Sequence, residues 1–507
     1  MKTPPHIQAM LQADFYPHAR ADIELIQTHI SWVILSGSHA YKVKKPVNFG
    51  FLDFTTLDKR KYFCEQELRL NKRLAADLYL KVLPVTQKNG NYYLDGDGEI
   101  VDYCLKMLRF PQHDLLDQRL TDDRFEPAWM DELARDIADF HSKDEKIADM
   151  KHFGDIRFIR SHIEANYAVA EQYAGKTISR TLLESVRHHS DKALNSLDGI
   201  LKRRQENNHI RACHGDLHLR NITLFHDRPC VFDCIEFNDE YRIIDTINDV
   251  AFLVMDCEAR QRPDLGYRFL SRYLEHSGDY EGLALLPLYL SYRACVRAKA
   301  NCLLASDPDL AGEVQQQQLR EACHYLELAK SYTEIPRPRL FLVGGLSGSG
   351  KSHLALSGIG KIPAVCIRSD ATRQRLAESV SSLPLYSTKM SEITYAAMFD
   401  AAETTLKAGF SAIMDATFLR LEDRDRARSI AEKAGVECTI LWLDMDVSVL
   451  KKRIRKRTET GKDISDADLG VLNKQLSEYQ RPGEVDVHFL AKSDSWPADI
   501  GGLDNIP

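Results

Sequence analysis

The chain has 507 residues, 44% of them hydrophobic and 28% charged, with a formal net charge of −7. That length exceeds what one ordinary core organises, so two or three domains are expected. The acidic balance argues against a general nucleic-acid coat or a membrane-surface protein, and no run approaches the roughly 18 apolar residues that span a bilayer.

In chain order, Met1-Lys2-Thr3-Pro4-Pro5 leads into a mixed polar segment, so no secretory signal is read and a cytoplasmic protein is expected. Residues 30–49 and 80–107 read as strand-rich, with a long amphipathic helix between them near 57–76. From about 125 to 330 the pattern is mainly helical, broken by short strands around 222–233. Arg293, Arg297 and Lys299 form a basic helical stretch, expected as a solvated, ion-paired face. The segment Thr333-Glu334-Ile335-Pro336-Arg337-Pro338-Arg339 then stops the last helix and marks a seam. Beyond it, apolar strands at 340–343, 364–368, 411–415 and 438–444 alternate with helical stretches, the pattern of a parallel α/β sheet.

The expected architecture is therefore an α+β, protein-kinase-like bilobal domain over 1–335, with a small lobe at about 1–110 and a helical lobe at about 111–335. An α/β domain with a parallel sheet follows over 336–507. The eleven cysteines are scattered and odd in number, which suits free thiols in a reducing compartment.

Two motifs carry chemistry. Gly345-Leu346-Ser347-Gly348-Ser349-Gly350-Lys351-Ser352 follows the apolar run Leu340–Val343 and fits G-x-x-x-x-G-K-[ST]. Its glycines let consecutive backbone N–H groups curl around phosphate oxygens. Lys351 supplies a cation for the β- and γ-phosphates, and the Ser352 hydroxyl can ligate Mg²⁺. This half is expected to bind a nucleoside triphosphate, with Gly345, Ser347, Gly348, Ser349 and Gly350 forming the cradle. The second motif is His214-Gly215-Asp216-Leu217-His218-Leu219-Arg220-Asn221, followed by Val231-Phe232-Asp233. Asp216 and Asn221 have the offset of a kinase catalytic loop, with Asp216 as acceptor-side base, Asn221 and Asp233 as Mg²⁺ ligands and His214 bracing the loop.

The 214–221 loop resembles that of aminoglycoside phosphotransferase and choline kinase-like enzymes. The whole chain resembles bacterial bifunctional aminoglycoside phosphotransferase-like/P-loop ATP-binding proteins. The resemblance implies ATP as phosphoryl donor and Mg²⁺ as cofactor; an aminoglycoside acceptor does not follow from it. By the same match, Ala40-Tyr41-Lys42-Val43-Lys44 resembles the strand that supplies the phosphate-contacting lysine, Lys42 or, on the same face, Lys44. Its partner is Glu67 or Glu65 on the next helix, and Asp102–Met107 resembles the strand entering an adenine-contacting hinge. The loop Ser36-Gly37-Ser38-His39 departs from the family in being short and poor in glycine.

In the C-terminal half, Ser369-Asp370 with Arg373 resembles the S/N-D-x-x-R segment of polynucleotide-kinase, zeta-toxin and chloramphenicol-phosphotransferase-like enzymes. There Asp370 corresponds to the base and Arg373 to an acceptor clamp. Asp415 ends a Walker B-type strand and would hold Mg²⁺ through water. Arg453 and Arg457 correspond to lid arginines that neutralise charge on the transferred phosphoryl, with Gly461–Asp468 as the lid turn. The leading expectation is two ATP-dependent phosphotransferase modules acting on small-molecule hydroxyl acceptors. A nucleic-acid-end or nucleotide kinase, or one half serving as a non-catalytic ATP sensor, stands as the alternative.

Overall fold

A computed structural model describes residues 3–16, 23–143, 150–308, 310–334, 337–379, 383–460, 468–484, 486–491, 495–497 and 500, the side chains of Lys151, Glu378, Ser379 and 457–460 excepted. The chain forms two compact units, one of Met1–Trp129, Lys143–Gly154 and Asn207–Asp249, the other of Met130–Ser142, Asp155–Glu206 and Val250–Pro507. Helices that precede the proline seam thus belong to the same unit as the P-loop sheet, and the seam residues 335 and 336 lie outside the described residues.

The first unit is built on a six-stranded antiparallel sheet of order β1-β2-β3-β6-β4-β5. Its strands are β1 (Ile23–Gln27), β2 (Ser31–Ser36), β3 (His39–Lys44), β4 (Tyr79–Lys88), β5 (Asn91–Leu94) and β6 (Glu99–Leu108). Alternation along β3 sends Tyr41 and Val43 into a cluster with Trp32, Ile34 and Val85, joined by Ile7 and Met10 of the short helix α1 (Pro5–Met10). Ala40 faces the opposite cluster, with Leu78, Leu105 and Met107, so Lys42 and Lys44 share that second face. The Ser36–His39 loop is a hairpin turn with only Gly37 and Ser38 between paired residues, and Gly37 takes the left-handed φ of +56° that such a turn requires.

Helix α2 (Leu57–Asn71) begins at a Thr56 cap that accepts the Lys59 N–H, and α3 (Leu116–Thr121) follows the sheet. Two small antiparallel pairs complete the unit: β7 (Ile210–Ala212) with β10 (Ile243–Asp245), and β8 (Ile222–Phe225) with β9 (Arg228–Val231). The loop from 213 to 221 is suspended between these pairs. β2–β6, β8 and β9 fall in the stretches expected to be strand-rich, β1 lies before them, and the three-residue strands β7 and β10 are too short to show a period.

The second unit opens with helices α4 (Ala128–Ser142, from Met130 on), α5 (Ile156–Ala170), α6 (Arg180–Glu206), α7 (Thr246–Ala259, from Val250 on), α8 (Pro263–Ser277), α9 (Leu286–Ala305) and α10 (Gly312–Ser331). Its five-stranded sheet is wholly parallel, in the order β12-β13-β11-β14-β15. The strands are β11 (Leu340–Gly345), β12 (Ala364–Arg368), β13 (Ser411–Asp415), β14 (Cys438–Leu443) and β15 (Val487–Leu490). The first four are continuous apolar runs, buried on both faces as a helix-covered parallel sheet demands. β15 escapes sequence reading: it is a four-residue edge strand with Phe489 exposed. The covering helices are α11 (Lys351–Gly358), α12 (Ser369–Ser379), α13 (Thr388–Lys407), α14 (Leu421–Ala434), α15 (Val447–Thr460) and α16 (Leu469–Glu478).

One expectation fails in the helical region. Arg293 is buried, its guanidinium 4.8 Å from the Phe252 ring centroid, so this stretch of α9 is not a solvated face. All eleven cysteines are free thiols, and among the described residues no helix is long and apolar enough to cross a membrane.

Candidate active sites

In the first unit, β3 and α2 bring opposite charges together. Lys42 Nζ lies 2.7 Å from Glu67 Oε1 and 2.6 Å from Asp233 Oδ1. Lys44 Nζ lies 2.6 Å from Glu67 Oε2 and also donates to Glu236 Oε1. Glu67 is fully buried whereas Glu65, two residues earlier on α2, is exposed. Burial by itself would raise the Glu67 carboxyl, but the two ammonium groups outweigh it and hold it below the usual carboxylate range. Three carboxylates thus face two ammonium groups, and burial raises the Glu236 carboxyl against the pull of Lys44. Asp233, its side chain 41% exposed, is the member open to a cation.

The catalytic-type loop is held from behind. The N–H groups of His214 and Gly215 donate to Asp249 Oδ2 and Oδ1 at 3.0 and 2.8 Å. His214 Nδ1 accepts from Asp216 N at 3.3 Å, which leaves Nε2 protonated to donate to Phe232 O at 2.9 Å. Burial pushes the His214 pKa down, so the ring is neutral and acts as a brace. Asn221 Nδ2 donates to Asp216 Oδ2 at 2.9 Å and to its carbonyl at 3.0 Å, which turns Asn221 Oδ1 into the remaining acceptor of that amide. His218 Nε2 lies 3.3 Å from Asp216 Oδ2. Asp233 adopts a left-handed φ of +62°, with its N–H donating to Tyr79 Oη at 3.1 Å and the next N–H to Asn71 Oδ1 at 2.8 Å.

Gly215 has a φ of +86°, and a Cβ there would sit 2.6 Å from Tyr241 O. Gly215→Ala is therefore expected to cost at least about 2 kcal/mol, from the left-handed backbone and the clash together. Displacement of Asp216 should also cut transfer at this site about 100-fold. Urea titration alongside a transfer assay checks this; stability within about 0.5 kcal/mol of the parent would refute it.

In the second unit, the loop after β11 takes left-handed backbone at Gly345, Gly348 and Gly350, with φ of +139°, +83° and +95°. A Cβ at Gly345 would lie 2.8 Å from Leu443 O, so the loop closes against β14 only without a side chain there. Lys351 Nζ donates back to Leu346 O at 3.1 Å. Asp415, buried at the end of β13, has its carboxyl raised by burial, opposed by Lys351, a hydrogen bond from Ser352 and Arg368. Asp370 Oδ1 takes Arg373 Nη1 at 2.7 Å, and that guanidinium lies 5.1 Å from the Tyr386 ring centroid. Arg453 Nη1 donates to Ser349 O at 3.1 Å.

A cleft of about 880 Å³ is lined by Ser347, Gly348, Gly350, Lys351, Ser352, Asp370, Arg373, Asp415 and Arg453. Gly345 and the buried Ser349 instead shape the loop behind it. The Arg457 side chain and lid-turn residues 461–467 lie outside the described residues. Met107 packs its side chain into the sheet core, one residue before β6 ends.

Three groups were not found from sequence. Glu236 lies three residues beyond Asp233, outside the Val231-Phe232-Asp233 match. Asp249 sits 33 positions beyond Asp216, with no motif to tie them. Gln475 of α16 accepts Ser347 N–H at 2.9 Å and donates to Ser347 Oγ at 2.9 Å, a contact that no local pattern announces.

The phosphotransferase enzyme family pattern matches residues 61–286, and an AAA domain pattern matches 340–482. Over 474 residues the chain is 30% identical to the uncharacterized protein Rv2004c of Mycobacterium tuberculosis (strain H37Rv), covering 92% of each chain. It matches the uncharacterized protein Mb2027c of Mycobacterium bovis at the same identity and coverage. The chain belongs to the same family as these two mycobacterial proteins. It joins an aminoglycoside phosphotransferase-like segment to a P-loop kinase segment, the two-segment arrangement that the sequence resembles. Among solved structures, an ethanolamine kinase of Plasmodium vivax is 13% identical over 61% of this chain and 84% of its own, with a TM-score of 0.38. The APS kinase CysC of Mycobacterium tuberculosis is 23% identical over 31% of this chain and 92% of its own, with a TM-score of 0.25.

Proposed function

We propose that the chain carries two phosphotransferase sites, each moving the γ-phosphoryl of ATP to a hydroxyl of a small-molecule acceptor. The modules are 1–335, using Asp216, and 336–507, using Asp370. The observation that carries this reading is the convergence of Lys42, Glu67 and Asp233 across 191 positions of chain beside the Asp216–Asn221 pair. An ordinary solvated Lys/Glu pair would not be buried with a second and third carboxylate around it.

The oxygen donors fit Mg²⁺: Asn221 Oδ1 and Asp233 in the first site, Ser352 and Asp415 in the second. When bound, the ion held by these residues would supply positive charge to neutralise the phosphates as the transfer proceeds. Asp216 orients the acceptor hydroxyl and receives its proton, while Asn221 fixes the carboxylate through its amide. Lys42, positioned by Glu67, contacts the donor phosphates, and Met107 marks the strand leading to the adenine side. In the second site the Gly345–Ser352 backbone cradles the phosphates, with Ser347, Gly348, Ser349 and Gly350 shaping it. Lys351 contacts the transferred group, Arg453 and Arg457 neutralise it, Arg373 clamps the acceptor and Asp370 takes the proton. Eleven free thiols favour a reducing, cytoplasmic setting.

The test is transfer from γ-labelled Mg-ATP across sugars, aminoglycosides, nucleosides and 5′- or 3′-hydroxyl oligonucleotides, with Asp216→Asn and Lys351→Ala chains alongside. The expected result is a small-molecule product lost in only one of the two variants. A product confined to the oligonucleotides would replace the small-molecule reading with a nucleic-acid-end kinase. Hydrolysis without any acceptor product would favour an ATP-driven sensor.

A further inference from the structure

One edge of the parallel sheet is β12, and it rests on α8, a helix of the phosphotransferase-type segment. Contact runs the length of that helix. Near its start the Asp264 backbone crowds Gly360, where an added Cβ would meet Asp264 Cα at 2.2 Å. Midway, Ser271 Oγ accepts the Cys366 N–H at 3.0 Å, satisfying a donor on the strand edge. Further on, Glu275 receives Arg368 through Nε at 2.6 Å and through Nη2. At the C-cap, Gly278 (φ +72°) leaves room for the Arg375 guanidinium, which a Cβ would approach to 2.5 Å. Arg375 lies on α12, the helix that carries Asp370 and Arg373.

Arg368 ends β12 in register with Asp415 on β13, and both line the cleft. Registered side chains on adjacent parallel strands share a face, with the strands about 4.8 Å apart. Yet the Arg368 fork turns to Glu275. Glu275, 3% exposed, is shared with Arg272 at 2.8 and 2.9 Å; Arg272 reaches Asp131 at 3.2 Å, and Asp131 also takes Arg268 at 2.8 and 2.7 Å.

We propose that Glu275 is a positioning residue for the P-loop reaction: it holds the Arg368 guanidinium away from Asp415, so that this carboxylate stays available to a divalent cation. The phosphotransferase-type segment thereby completes the second site. Without the Glu275 charge, the carboxylate in register with the Arg368 fork is Asp415, which already acts on it electrostatically and is buried where opposite charges attract strongly. The inference rests on reading the P-loop cleft as a Mg-ATP site.

The experiment measures equilibrium binding of ATP with and without Mg²⁺ to the full chain, with the Lys351→Ala chain defining the first site's share. Lys351-dependent turnover is followed against Mg²⁺ concentration in parallel. Glu275→Gln is expected to lower the preference for Mg-ATP about tenfold and to raise the Mg²⁺ requirement for turnover about as much. Adding Arg368→Gln removes the competitor and should restore the preference to within about threefold of the parent, which a merely structural role of Glu275 would not do. An unchanged metal preference in Glu275→Gln, or a double variant no better than the single one, overturns the proposal. If Glu275→Gln does not fold, Glu275→Asp should give a partial loss of preference, and a parental response there overturns it. No Lys351-dependent binding in the unmutated chain would overturn the P-loop reading itself.

Discussion

Asp216→Asn is expected to lower transfer at the first site by about 10²–10⁴-fold, the range for loss of a positioned general base. The substitution is nearly isosteric, and the new amide oxygen can still accept the Asn221 Nδ2 hydrogen bond that now measures 2.9 Å to Asp216 Oδ2. The Asp249 and His214 contacts that hold the loop involve backbone N–H groups and are untouched. The loss should therefore fall on kcat, with KM for ATP and melting temperature close to the parent values. Steady-state kinetics on the first-site product, paired with thermal melting, reads all three. Retained kcat would remove Asp216 from the role of base. A kcat loss with an equal rise in KM for ATP would place Asp216 among the nucleotide-holding groups instead.

Lys351→Ala should abolish turnover at the second site, by at least about 10³-fold, and leave Asp216-dependent transfer within about twofold. Lys351 springs from the first position of α11, and its ammonium now returns to Leu346 O inside the loop it will serve. It is also the strongest of the charges that draw down the buried Asp415 carboxyl. Removing it costs a phosphate contact and biases Asp415 further towards its protonated form. Lys351→Arg should not rescue activity, because a planar fork cannot occupy the space of a point charge within the glycine loop. Transfer assays on the full chain with both substitutions decide the matter. Near-parental activity in Lys351→Arg would mean that charge alone suffices. If Lys351→Ala and Asp216→Asn erase the same single product, the two sites do not work independently.

Some of this was legible from residue order. The phosphate loop is contiguous: its ligand geometry comes from successive backbone N–H groups and three left-handed glycines, so eight residues carry the whole pattern. The 214–221 loop is local in the same way, since Asp216 and Asn221 are joined by a hydrogen bond across five positions. The strands of the parallel sheet announce themselves as unbroken apolar runs because both faces are covered. Where the chemistry depends on a long-range partner, local pattern leaves choices open. Lys42 and Lys44 share one face of β3, and residue order cannot say which of them meets Glu67. In the folded chain both do, and Glu236 joins them.

Residue order thus determined the kinase classes of the two segments, the phosphate loop, the catalytic-type loop and the strand that supplies the lysines. Short-range sterics and backbone hydrogen bonding act over a few positions, and so leave their mark in local spacing. Tertiary structure alone decided that Glu67 and not Glu65 is the buried partner, that Asp249 anchors the 214–215 backbone, and that Gln475 meets the phosphate loop. It alone laid α8 along β12, so that Glu275 and Arg368, 93 positions apart, neutralise one another beside Asp415. Buried charges are stable only when another part of the chain supplies the opposite charge. That pairing is a property of the packed core and leaves no period or motif in the sequence.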